Sequence, residues 1–94
     1  MPRPLPLRKT HGTAYNLNPD TKRVPATAVR VGDVVMEGPG HPARIERVTH
    51  ITRTRHRVWV KYIWQPAWEV AWPLGEYDAA HPLDRALPGE YPIT

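Results

Sequence analysis

The sequence predicts a mainly β chain: a small, strongly bent antiparallel sheet or half-open barrel, with an extended Pro-rich arm before it and a short helical turn after it. Three observations carry that prediction. Twelve prolines and six glycines in 94 residues are too many for a helical bundle. Apolar residues recur with a period of two rather than 3.6. Strong turn signals separate those runs. The chain has room for one core, and with no cysteine it can hold neither a disulfide nor a thiolate metal site.

Residues 1–23 are read as a basic arm. Pro2, Pro4 and Pro6 alternate with Arg3, Leu5 and Leu7 and favour extended polyproline-like backbone, while Arg8, Lys9, Lys22 and Arg23 add charge. Asn16 to Asp20 is turn chemistry. The domain proper is expected over 24–94. Val29 to Met36 reads as an apolar strand broken by Gly32-Asp33, and Glu37-Gly38-Pro39-Gly40 as a turn. Ala43 to Thr52 reads as a second strand. Ala43 and Ile45 are out of phase with Val48, so a bulge is expected near Glu46.

The core is placed in Val58 to Trp72. Val58, Val60, Tyr62 and Trp64 share one side of a strand, and Trp68, Val70 and Trp72 continue the period after Gln65-Pro66-Ala67. As a three-residue hairpin this pairs Trp64 with Trp68, Tyr62 with Val70 and Val60 with Trp72, all seven apolar groups on one face. Pro73 is expected to end that strand, Leu74-Gly75 to turn the chain, and Asp78 to Leu87 to hold the short helical turn.

The stretch Val29-Arg30-Val31-Gly32-Asp33-Val34-Val35, a Gly-rich turn, and Ala43-Arg44-Ile45-Glu46-Arg47-Val48 together resemble the opening of SH3-like barrels, KOW-type modules in particular. About twenty residues carry the likeness, and Pro42-Ala43 stands where ribosomal KOW motifs usually have Lys-Gly. The resemblance implies a small barrel and raises the expectation of nucleic-acid binding. The composition is also similar to that of small proteins encoded by phages and mobile elements of GC-rich bacteria.

The formal charge is +4 but is unevenly spread. Through Arg57 eleven cations face four acids, and from Val58 on two cations face five. An anionic partner would be steered to such a polarised molecule. Arg53, Arg55 and Arg57 alternate at a hairpin tip, about 6–7 Å apart, near the spacing of successive phosphates. Arg44 and Arg47 precede them, and Trp59 and Lys61 share their phase. Guanidinium forks suit phosphate, and an indole beside them suits a base. The competing reading is a solvated tip that blunts a sheet edge.

The tryptophans at 64, 68 and 72 are assigned to the core, since no phenylalanine is available. His11, His41, His50, His56 and His81 show no ligand spacing; His50 and His56 could meet across a hairpin, but two imidazoles make no zinc site. Asp78, His81 and Asp84 lack a nucleophile beside them, and the chain has no serine.

The function expected is therefore a non-enzymatic nucleic-acid-binding module, its DNA or RNA partner held by Arg44, Arg47, Arg53, Arg55, Arg57, Trp59 and Lys61, with no catalytic residue, metal or cofactor. The alternative is a structural or adaptor protein, phage-encoded, that uses its arm and apolar hairpin on a protein partner or another copy of itself. No apolar run reaches the length of a membrane span. The expected location is cytoplasmic, or virion-associated for a phage protein.

Overall fold

A computed structural model of the chain describes residues 7–10, 13–66 and 68–87. Period-two runs become strands, as the pleat requires. In chain order they are β1 (Leu7–Thr10), β2 (Thr13–Asn16), β3 (Thr21–Pro25), β4 (Val34–Met36), β5 (Pro42–His50), β6 (Arg55–Tyr62), β7 (Trp72–Asp78) and β8 (Pro82–Ala86). A single 3₁₀ turn, Ala26–Ala28, stands between β3 and β4. β1 and β2 pair only with each other, and the other six strands form one antiparallel sheet in the order β3-β8-β4-β5-β6-β7.

That sheet is open, with β3 and β7 as its edges, and its connectivity forces it to curl. β7 and β8 stand four places apart in the order, about 19 Å in a flat sheet. Yet only residues 79–81 join Asp78 to Pro82, a reach of about 14 Å even when fully extended. The two strands must therefore be folded toward each other. The Ala79 amide donates to the Thr54 carbonyl (2.8 Å) and the Thr27 amide to the Ala79 carbonyl (2.9 Å), stitching the short connection across that end.

Two bulges supply curvature. Ile45 lies opposite Val60 but Arg47 lies opposite Trp59, so Glu46 is the extra residue in β5, where the change of phase predicts one. On the other side of β6, Val58 faces Gly75 and Trp59 faces Pro73, leaving Leu74 as the extra residue of β7. The curled sheet encloses Val24, Val35, Ala43, Ile45, Val58, Val60 and Leu83, with Trp72, Leu74 and Tyr77 packed against them. A second cluster of Val34, Ile63 and Ala86, joined by Tyr15 and Trp64, covers part of the other side.

The expected Gly-rich turn is present. The Glu37 amide donates to the His41 carbonyl (3.0 Å) and the His41 amide to that of Gly38 (3.1 Å). Gly40 takes φ +79°, a left-handed value that favours glycine.

Several expectations are corrected. The three-residue hairpin does not form: Val60 does face Trp72, but β6 ends at Tyr62 and a wide connection replaces the pairs Trp64–Trp68 and Tyr62–Val70. Trp68 and Val70 are 79% and 86% exposed rather than core. Pro66 and the Gln65 side chain explain this. The Gln65 carbonyl oxygen takes the Tyr62 amide (2.6 Å) and the Trp72 indole N–H (3.4 Å), closing the ladder before a tight turn can register.

Asp78 to Leu87 holds no helical turn; Pro82–Ala86 is a strand between β3 and β4, because pairing with both neighbours outweighs weak local helix preference. Pro73 and Gly75 lie inside β7 rather than ending it, which an edge strand tolerates. The strand expected over Val29 to Met36 is confined to β4. Within the span read as an arm, the described residues form the β1–β2 pair and the start of β3 at Thr21. Pro2, Pro4 and Pro6 lie outside the described residues.

Tyr62 closes the β6 end of the sheet. Its ring stacks on Trp64 (centroids 4.7 Å) and tilts against Trp72 (5.1 Å), and its hydroxyl donates to the Glu37 carboxylate. That hydrogen bond, then desolvation and the Glu37 charge, push the phenol up to about 12 from the usual 10.0. A raised folded value means stability that is full below about pH 10 and lost as the pH rises through 12. Solvent screening at this exposed contact limits the effect to about 1 kcal/mol. Urea midpoints taken from neutral to alkaline pH should therefore fall further in the native chain than in Tyr62→Phe. Parallel curves would contradict the linkage.

Candidate nucleic-acid interface

Alternation along β6 sends His56, Val58 and Val60 into the interior and Arg55, Arg57, Trp59 and Lys61 to the outer face. The register brings β5 residues to the same face: Arg44 opposite Lys61, Arg47 opposite Trp59 and Thr49 opposite Arg57. β7 adds Glu76 opposite Arg57, Asp78 opposite Arg55 and Pro73 opposite Trp59. Six of the seven residues singled out from the sequence thus share one face. Arg53 does not; it lies in the bend between β5 and β6, which the Thr52 hydroxyl closes by accepting from the Arg55 amide (3.1 Å).

The bulge at Glu46 decides the chemistry of this face. In an unbroken register Glu46 would stand opposite Trp59, and Arg47 would turn toward the interior beside Val58. The extra residue exchanges them. The Arg47 guanidinium then lies over the indole at 4.4 Å from the ring centroid, and that of Arg57 at 6.0 Å. The indole N–H donates to the Thr49 hydroxyl (3.2 Å), which fixes the ring's orientation.

The cations are not equally available. Arg57 donates to Glu76 through Nε (3.1 Å) and Nη2. Those hydrogen bonds, and the charge behind them, hold the Glu76 carboxyl below its ordinary range. Arg55 lies 3.9 Å from Glu76 and 4.0 Å from Asp78. Lys61 lies 3.9 Å from Glu46 with its side chain largely covered. Arg44, Arg47 and Arg53 enter no ion pair among the described residues. The weight of the face therefore falls on Arg44, Arg47 and Trp59 more than on the alternating arginines.

Sequence reasoning missed Thr49, Glu76 and Asp78. The two acids alternate on β7 in step with Arg55 and Arg57 on β6, a signal hidden by reading Leu74-Gly75 as a turn. His50 and His56 do meet across the hairpin, with ring centroids 4.5 Å apart. The side chains of Asp78, His81 and Asp84 take different partners: Asp78 lies beside Arg55, Asp84 is 3.5 Å from Arg23, and His81 stacks on Tyr77 at 4.8 Å. Among the described residues no group of three or more His, Asp or Glu side chains could hold a metal ion, and no helix is long and apolar enough to cross a membrane. No family model matches the chain, and no curated protein or solved structure is significantly similar to it.

Proposed function

We propose that the chain is a non-enzymatic nucleic-acid-binding module that meets a phosphate backbone with the outer face of β5 and β6. The observation that supports this most is the outward group of Arg44, Arg47 and Trp59, two cations without carboxylate partners among the described residues beside a half-exposed indole. Five cations share the face with three carboxylates, so its charge is positive but modest. That balance fits backbone contact with little base readout.

A fluorescent oligothymidylate titrated across a salt series tests the proposal. Affinity should fall as salt rises. Replacing Arg44 and Arg47 together by glutamine should flatten the logarithmic slope by about 1.4, some 0.7 for each phosphate contact on a single strand. Absence of binding at low salt, or an unchanged slope in the double variant, would overturn the proposal.

A second reading, an adaptor or structural protein, is favoured by the exposure of Trp68 and Val70 in the connection between β6 and β7. Large apolar side chains in water mark protein contact sites when they cluster.

A further inference from the structure

The interior side of the same two strands opens at one end into a cleft of about 440 Å³. It lies between the residues following β3 and the ends of β5 and β6 nearest their tip, lined by Ala26, Thr27, Val29, Arg30, Val31, Val48, His50 and His56. Its walls are apolar and its polar groups are basic or neutral; no carboxylate lines it. The volume falls in the range of small-molecule sites, about 300–1,000 Å³.

His56 is 7% exposed, yet its ring makes no hydrogen bond among the described residues; its one ring contact is with His50. Buried imidazole nitrogens are ordinarily paired. No fully occluded side-chain nitrogen or oxygen lacks a partner in the described residues, so the nitrogens of His56 keep a small accessible surface, and the cleft is what opens onto it. Arg30 is held in place beside it. Its Nη1 donates to the carbonyls of Thr27 (2.9 Å) and Val29 (3.0 Å), and its backbone N–H donates to Asp33 Oδ2 (2.8 Å). The guanidinium itself forms no ion pair among the described residues; the Asp33 carboxylate, 3.9 Å from Arg85, takes the Arg30 backbone N–H instead.

We propose that this cleft binds a small organic carboxylate, its acid group received by Arg30, His50 and His56 and its apolar body packed on Ala26, Val29 and Val48. A fixed guanidinium and two imidazoles with no ring hydrogen bond among the described residues supply donors to an anion, and the apolar walls favour one with a hydrocarbon body. The site lies on the opposite side of β5 and β6 from Arg47 and Trp59, so it stands independently of the nucleic-acid proposal.

Hexanoate and its neutral analogue hexanamide are the probes, titrated into the full chain while the histidine ring resonances are followed by NMR. Hexanoate should shift His50 and His56 saturably, and hexanamide should bind about tenfold more weakly or less. Val31→Glu, at the exposed rim, should weaken hexanoate about tenfold without disturbing the fold, and His50→Gln should weaken it as well. Equal affinity for acid and amide, shifts that never saturate, or full hexanoate affinity in both variants would overturn the proposal.

Discussion

Replacing Ile45 by alanine is expected to cost about 3–4 kcal/mol of stability, the largest loss from a single side chain in this chain. Ile45 is fully buried, packs in the cluster that six strands share, and immediately precedes the β5 bulge. Its amide donates to the Asp33 carbonyl (2.8 Å) and its carbonyl accepts from the Gly32 amide (2.9 Å), so the backbone around the missing side chain is held and cannot collapse inward. The cavity therefore persists, which places the cost above simple transfer. A domain of this length has about 5–14 kcal/mol in total, so urea unfolding should show a large drop in midpoint at unchanged slope. Ile45→Val, which removes one methyl group, should cost about 1 kcal/mol. A loss below that for alanine would mean the core is not centred on β5.

Trp72→Ala is expected to cost about 2–4 kcal/mol, whereas Trp68→Ala should change stability by no more than about 0.5 kcal/mol. Trp72 faces Val60, leans on Tyr62 and donates to Gln65, tying the start of β7 to the end of β6. Trp68 is 79% exposed. The pair separates two architectures, since the tight hairpin read from the sequence would make both substitutions costly. Thermal or urea unfolding of the two variants measures the difference directly. Equal losses would restore the tight hairpin.

The contrast between those tryptophans shows what the sequence could and could not convey. Alternation in Val58-Trp59-Val60-Lys61 is dictated by the pleat, so it correctly placed the valines inward and Arg55, Arg57, Trp59 and Lys61 outward. The phase change between Ile45 and Val48 likewise signalled a bulge, because only an extra residue keeps both inside. Period alone does not fix where a strand stops. Trp64, Trp68 and Val70 keep the rhythm of a strand, but Gln65 closes the ladder by bonding the backbone and the Trp72 indole, a side-chain event no pattern encodes. The strand at Pro82–Ala86 was hidden for a related reason. Its residues have no strong β preference, and it forms because β3 and β4 on either side leave hydrogen-bonding edges for it. For the site, charge density was legible but availability was not. The pairing of Arg55 and Arg57 with Glu76 and Asp78 depends on the bulge at Leu74, which shifts both acids into register.

The role proposed for the outer face of β5 and β6 is tested most directly by amide and indole chemical-shift mapping while a short oligothymidylate is added at low salt. The shifts should concentrate at Arg44, Arg47, Thr49, Lys61 and the Trp59 indole N–H, and should disappear as salt is raised. Shifts confined to Trp68 and Val70, or none at all, would contradict it.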